Sequence, residues 1–331
     1  MTTSEGTTSE GTIAPDLPPS EHKPDKPESL LTVLIALTAN TLIAIAKSIV
    51  GAITGSASMI AEAAHSWADT GNEIFLLVAE RRSAKPADKT HPLGYGREAY
   101  VWSMIAAFGL FSAGSIVSIW HGVTQLTAEE PEASYTWAYV VLGISFVLEG
   151  ISFLQAWRTA RGAARRLGMH PVHFISATSN PTLRAVFAED AAALIGLLIA
   201  GLGIGLHQLT GNAVWDAVGS ILVGVLLGIV AIFLIGRNRD FLTGQVVSED
   251  LRQRAMDELL REPSIEAVSF LYLVYVGPSR ILLIAAVDLI GDLRESELAR
   301  EVQEIEDRLN ERDIIERAIL TLSAPGQKPG L

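Results

Sequence analysis

Cysteine is absent from the 331 residues, which removes disulfides, thiolate-bound metal and thiol redox chemistry from consideration. Any metal chemistry in this chain must use His, Asp and Glu. Positive charge is also short, with 25 Lys and Arg against 37 Asp and Glu and a formal charge of −12. A nucleic-acid binder needs a basic face for phosphates, so that class is excluded and cations are the natural partners. Histidine is scarce, and none lies beyond His207. What the chain has instead is apolar length. It is 49% hydrophobic with a mean hydropathy of +0.33, and apolar runs long enough to cross a bilayer recur as far as residue 236.

Residues 1–28 form a polar tail with a TTSEGTTSEGT repeat and frequent Pro, too poor in apolar groups to fold. It has neither the basic start nor the short apolar core of a signal peptide, so the first hydrophobic segment is expected to remain in the membrane. Six spans are predicted, at Leu30–Ile53, Ala57–Glu80, Ala99–Leu126, Tyr135–Ala156, Leu183–Leu206 and Val214–Ile235. Together they make a membrane domain over 29–240. The connection after span two holds Arg81, Arg82, Lys85, Lys89 and Arg97, and that after span four holds Arg158, Arg161, Arg165 and Arg166. The other connections have no basic residue, and one carries Glu129, Glu130 and Glu132. Basic loops stay inside, which puts both loops and both termini in the cytoplasm. Trp120, Trp137 and Trp215 then fall at the outer interface, where amphipathic rings anchor.

Beyond Arg239 the composition becomes that of a soluble domain. A helix capped at Ser248, two strands joined at Gly277-Pro278-Ser279-Arg280, an amphipathic helix over 294–310 and a strand near 314–322 give an αββαβ order over 245–325. That order predicts a small sheet with helices on one face.

The chemistry is concentrated in span two, GSASMIAEAAHSWADTGNEIFLL at residues 55–77. Spacings of three and four put Glu62, His65, Asp69 and Glu73 on one helical face. Buried carboxylates are costly unless paired, so such a stripe inside a bilayer marks an ion path or proton relay. Span five adds Glu189 and Asp190, about 100° apart around their helix, so one is expected to face the stripe and the other to lie at its edge. A divalent cation relieves the repulsion among these carboxylates. One imidazole plus carboxylates from two helices suits tetrahedral Zn²⁺ and also accepts Mn²⁺, Fe²⁺ or Co²⁺. Lys47, Asn40 and Asn72 are further polar residues within spans, read as path-lining or helix-bridging groups; Asp216, near the outer end of span six, is read as a helix-packing residue and Glu149 as a hydrogen-bonding group between spans. The glycine-rich stretches 201–205 and 219–228 allow close helix approach.

Three segments, TGSASMIAEAAHSWADTGNE, THPLGYGREAYVWSMI and NPTLRAVFAEDAAALIGLL, resemble the cation diffusion facilitators in that order and spacing. The resemblance implies an α-helical membrane protein of six transmembrane helices with a C-terminal cytoplasmic ferredoxin-like α+β domain. It also implies metal/proton exchange and a homodimer. The family's paired ligands map onto His65 with Asp69 in span two, and onto Asp190 in span five. Its usual second histidine would stand at Val186, and is missing. Glu189 beside Asp190 resembles the branch that includes the mitochondrial zinc transporter of animals. The expected metal ligands are therefore His65, Asp69, Asp190 and Glu189.

The resemblance implies efflux of Zn²⁺, with Mn²⁺, Fe²⁺, Co²⁺ and Cd²⁺ as alternatives, and protons, lipid and a second copy as partners. It implies no cofactor and no enzymatic activity. An intramembrane metallohydrolase needs an HExxH arrangement, and His65 is followed by Ser66 and Trp67. A metal sensor or scaffold that moves nothing is the other alternative. The cytoplasmic domain lacks histidine, so no His-based regulatory site is expected there. His170 and His173 are read as incidental, and His91, in a segment with Pro and two Gly, as a packing or turn residue. The expected location is a bacterial plasma membrane.

Overall fold

The computed structural model describes residues 30–127 and 135–324, with side chains from Leu37 onward. The expected tail and the acidic connection at Glu129, Glu130 and Glu132 lie outside the described residues. Several helices start where a side chain caps them. α1 (Leu30–Thr54) ends at Gly55, whose φ of 68° turns the chain in a way that costs glycine little. Ser56 then caps α2 (Ala57–Ser83), its hydroxyl accepting from the Met59 amide at 3.2 Å. α3 (Glu98–Ala106) passes through a π-helical turn, Ala107–Phe111, into α4 (Ser112–Gln125), so the third span is one helix with a widened turn. α5 (Thr136–Arg166), the short α6 (Pro171–Ala177), α7 (Pro181–Thr210) and α8 (Val214–Leu242) complete the bundle. α7 is capped by Asn180, with Pro181 in its first turn, and stops at Gly211 with φ 65°.

Among the described residues, five segments are long and apolar enough to cross a membrane: Leu37–Thr54, α3 with α4, α5, α7 and α8. The charges of α2 keep it out of that set on composition alone. Its packing puts it in the bundle, because 13 of its 27 residues are buried and it lies against α1, α4, α7 and α8. The chain is a multi-pass integral membrane protein in which the more polar α2 packs among the five apolar segments.

Two apolar clusters flank α2. Ala68 and Leu76 pack with Phe111, Ala185, Leu227 and Leu234 on one side; Met59 packs with Val50, Leu142, Leu197 and Ile204 on the other. Phe108, Ile232, Trp120 and Trp137 are among the large apolar side chains left exposed, as expected where the neighbour is lipid.

Two buried polar clamps tie the helix ends. The Asp216 carboxylate of α8 accepts from Ser56 Oγ at 3.0 Å, Ala57 N at 2.6 Å and Ser58 N at 3.2 Å, so the start of α2 is capped by a neighbouring helix as well as by its own serine. Ser58 Oγ also donates to the Asp216 carbonyl at 2.8 Å. A β-carbon at Gly219 would stand 2.5 Å from that hydroxyl, so only glycine admits it. Near the opposite end, fully buried Arg184 of α7 donates to Asn238 Oδ1 of α8 at 2.6 Å and to the Thr178 carbonyl at 2.8 Å. Asn238 Nδ2 donates in turn to Ser103 Oγ of α3 at 3.0 Å.

The remaining elements are α9 (Glu249–Leu259), β1 (Ile265–Gly277), β2 (Arg280–Leu289), α10 (Glu295–Asn310) and β3 (Ile315–Leu322), the expected αββαβ order of a ferredoxin-like domain. The sheet order is β1-β2-β3, with β2 and β3 parallel and Leu283 opposite Ala318. Parallel neighbours need a crossover, which α10 supplies. The outer edge of β3 is closed by α10: Asn310 accepts from the Ala318 amide and Glu306 from the Leu320 amide, each at 2.7 Å. An edge so occupied is not a template for further strands. By packing, the chain forms two units. One closes at Gln245 and also takes Tyr275–Arg280; the other holds Val246–Val274 and the chain from Ile281.

Candidate metal centre

The stripe on α2 sits as its spacing requires. Glu62 and His65 are 0% and 1% exposed, and the Asp69 side chain 13%. His65 Nε2 lies 3.3 Å from Asp69 Oδ1, although among the described residues neither ring nitrogen nor that oxygen has an aligned hydrogen-bond partner. Glu62 is already engaged, its Oε2 accepting from Lys47 Nζ of α1 at 3.0 Å. Glu73, further along, accepts from Asn40 Nδ2 of α1 at 3.2 Å. Lys47 and Asn40 thus bridge helices, one of the two roles expected of them.

α7 brings two buried carboxylates to this face, and they diverge as their 100° separation predicts. Glu189 turns to α2, accepting from Asn72 Nδ2 at 2.6 Å and meeting the Asp69 carboxyl at close range. Asp190 turns to α5, accepting from Ser152 Oγ at 2.7 Å. Glu149, one turn before Ser152, interacts electrostatically with Asp69, Lys47, Asp190 and His65. Glu149 thus acts on the carboxylates and imidazole of this place, beyond the interhelix hydrogen-bonding role expected of it from sequence. Its mid-span position was a usable signal, but its direction around α5 was not readable.

Gly196, on the same face of α7, lets α2 come close. A β-carbon there would stand 2.6 Å from Glu62 Oε1 and 3.7 Å from His65 Nδ1. His65, Asp69 and Glu189 therefore occupy one buried place between α2 and α7, with Asp190 and Glu149 on its α5 side. Among the described residues, no three His, Asp or Glu side chains are arranged to hold a metal ion as they stand. The donors are directed at Asn72, Ser152 and one another.

Three other described histidines lie away from this place. His170 and His173 are exposed around α6. His91 belongs to the turn after α2, where its ring lies 4.0 Å from that of Tyr95 and its Nδ1 lies 2.9 Å from Thr90 Oγ1. In the same turn the Thr90 hydroxyl, then the Tyr95 hydroxyl and the His91 amide, hold the Asp88 carboxyl well below the usual carboxylate range.

A membrane bundle that buries an imidazole and several carboxylates between two helices, with a small αββαβ domain after it in the chain, has the arrangement from which intramembrane ion paths and proton relays are built. Residues 33–242 match the cation efflux transmembrane domain, and the chain belongs to that family. It is similar to the mitochondrial proton-coupled zinc antiporter of Xenopus laevis, 36% identical over 259 residues that cover 78% of this chain and 46% of the relative. It is equally similar to metal tolerance protein C4 of Arabidopsis thaliana, 36% identical over 261 residues, 79% of this chain and 57% of that protein. The magnetosome protein MamB of Paramagnetospirillum magneticum is more distant, 24% identical over 242 residues, 73% of this chain and 76% of that one. The chain thus spans about half the length of the first two relatives.

Proposed function

We propose that this protein exports divalent metal ions, Zn²⁺ first among them, in exchange for protons, and that His65 and Asp69 of α2 with Asp190 and Glu189 of α7 bind the ion. The observation that carries the reading is a surplus of buried negative charge beside an imidazole. Lys47 is paired with Glu62, which leaves Asp69, Glu189, Asp190 and Glu149 around His65. Such a surplus in a low-dielectric place calls for protons or a cation. The two alternate naturally, since the ligands must be deprotonated to bind metal and are reprotonated when it leaves. The donors now directed at Asn72 and Ser152 exchange those hydrogen bonds for the ion. That the Xenopus laevis and Arabidopsis thaliana relatives carry the names zinc antiporter and metal tolerance protein supports the substrate class.

In this reading the membrane domain over 29–240 carries transport, and the domain over 245–325 helps join two copies. Mn²⁺, Fe²⁺, Co²⁺ and Cd²⁺ remain alternative substrates of the same ligand set, and no catalytic step is involved. The basic connections mark the side from which metal is taken, with both termini there, in a bacterial plasma membrane. The test is zinc-driven proton movement in proteoliposomes that carry a pH probe inside. The wild-type protein should acidify or alkalise the lumen in step with an imposed zinc gradient. Asp69→Ala, inserted in equal amount, should do neither. Wild-type flux in that variant would remove Asp69 from the site, and no flux in the wild type with any of these metals would remove the transport reading.

A further inference from the structure

Lys47 of α1 is 1% exposed and Glu62 of α2 is 0% exposed, and their contact is a 3.0 Å ion pair. Two apolar side chains of similar volume would fill such a place without the cost of desolvating two charges, so stability alone does not account for it. Only one oxygen of the carboxylate is used. Lys47 holds Oε2, while Oε1 has no hydrogen-bond partner among the described residues, and neither does His65 Nδ1. Both atoms border the same small space over Gly196, at 2.6 Å and 3.7 Å from where its β-carbon would be. They lie three residues apart on one face of α2. Two orphaned polar atoms, one a carboxylate oxygen and the other a ring nitrogen able to carry a proton, are thus buried side by side. An imidazole that gives one nitrogen to a metal ordinarily gives its other N–H to a carboxylate or carbonyl, which fixes its tautomer and plane.

We propose that Glu62, pinned by Lys47, is the positioning residue for His65: Oε1 accepts the Nδ1 proton, and Nε2, on the Asp69 side, is the nitrogen offered to the ion. This rests on the reading of His65 as a ligand. Lys47 has two effects. It fixes Oε2, so that Oε1 keeps its direction, and it balances the charge of Glu62, so that this carboxylate does not compete for the ion. Gly196 keeps the space open. A rotation of the imidazole about its Cβ–Cγ bond closes the contact.

The experiment measures zinc affinity of the purified full chain in detergent, by competition with a chromophoric chelator. In parallel, the imidazole ¹⁵N shifts of the metal-free protein report the tautomer of His65, whose resonance is assigned by its loss in His65→Ala. That variant also separates the two readings. If it binds zinc as the wild type does, His65 is not a ligand and the proposal falls with the site. The decisive variant is Lys47→Met with Glu62→Met, which replaces the pair by apolar groups of similar size and should preserve folding. Zinc binding should weaken roughly 10- to 100-fold, the range for an outer partner of a ligating histidine, and the Nδ1-protonated form should be lost. Wild-type affinity there would make the ion pair a packing element only. Glu62→Gln alone should also bind weakly, because Lys47 claims the amide oxygen and leaves the NH₂ facing Nδ1. Adding Lys47→Met frees the oxygen to turn to Nδ1–H and should restore much of the affinity. If the single variant binds as tightly as the double, the proposal is wrong.

Discussion

Asp216→Ala should be the most damaging single change at the end of the bundle away from Arg184. The carboxylate is fully buried and accepts from three donors, Ser56 Oγ, Ala57 N and Ser58 N, at 2.6 to 3.2 Å. Removing it leaves two backbone amides of the first turn of α2, and one hydroxyl, without that acceptor in a place water does not reach. A buried donor left unmade costs about 1–3 kcal/mol. The serine hydroxyl can reorient, so two amides set the figure, and the loss is about 2–6 kcal/mol. Loss of a negative charge at a helix N-terminus adds to this, by up to about 2 kcal/mol in buried geometry. With a shift of about 2–4 °C per kcal/mol for domains of 150–250 residues, the melting temperature in detergent should fall by more than about 4 °C. Asp216→Asn retains one oxygen and should fall by less. Ser56→Ala removes one of the three donors and should couple to Asp216→Asn in a double-mutant cycle. If Asp216→Ala melts within a degree or two of the wild type while zinc affinity is unchanged, the clamp holds nothing. Asp216 then does not fix α2 in place.

Three further expectations follow from the same geometry. Glu189→Gln should eliminate transport, because Glu189 is the α7 carboxylate that meets Asp69, whereas Asp190→Asn, which keeps an acceptor for Ser152, should weaken zinc affinity by roughly 10- to 100-fold; the reverse order would exchange their roles, and two silent variants would remove α7 from the site. Gly196→Ala places a methyl 2.6 Å from Glu62 Oε1, where Lys47 holds the carboxylate, and should lower both zinc affinity and thermal stability, whereas Gly201→Ala, which meets nothing within 4 Å, should change neither. Asp88 has its carboxyl pulled down by Thr90, Tyr95 and His91, so its support of the turn is complete above the ordinary carboxylate range near 4 and is lost only as pH falls through the lower folded value. Amide exchange over 86–97 should therefore be no more protected at pH 7 than at pH 5 once corrected for intrinsic rates, and Asp88→Ala should remove protection at both; a protection step between those pH values would contradict the assignment.

The spans were legible because hydropathy and length are local properties, and α1, α2 and α8 begin at the residues expected from sequence. Their far ends were less so. α5 continues to Arg166, ten residues past the predicted end of its span, because falling hydropathy marks the edge of the membrane rather than the end of the helix. Arg158, Arg161, Arg165 and Arg166 are good helix formers that extend into water. The π-helical turn at Ala107–Phe111 has no signature in composition. The stripe on α2 was readable from spacing alone, yet the assignments that give it meaning were not. Glu62 with Lys47, Asn72 with Glu189 and Asp216 with the start of α2 join residues 15, 117 and about 160 positions apart. Which pairs meet is decided by how six helices pack, and one-dimensional periodicity carries no information about that.

The same limit bears on the departure in span five. A histidine at position 186 would be one turn before Asp190 on its own face, but Val186 instead packs against the apolar cluster around Phe111 and Leu227. That side of α7 has been given over to packing. Glu189 is three residues on from Val186, and in the structure it is Glu189, not Asp190, that turns towards Asp69 and Asn72 of α2. Asp190 is drawn towards Ser152, on the α5 side where Glu149 also acts. The consecutive pair therefore spreads one helix's donors towards two neighbours, where an i, i+4 pair would aim both at one. Exchanging an imidazole for a carboxylate also adds a negative charge beside a single remaining histidine. This makes the place harder in the ligand sense and more dependent on protons when no ion is bound. Under the proposed function, a site built this way would tie metal release more closely to proton uptake than one with two imidazoles, because each carboxylate exposed by a departing ion would have to be neutralised before the next step.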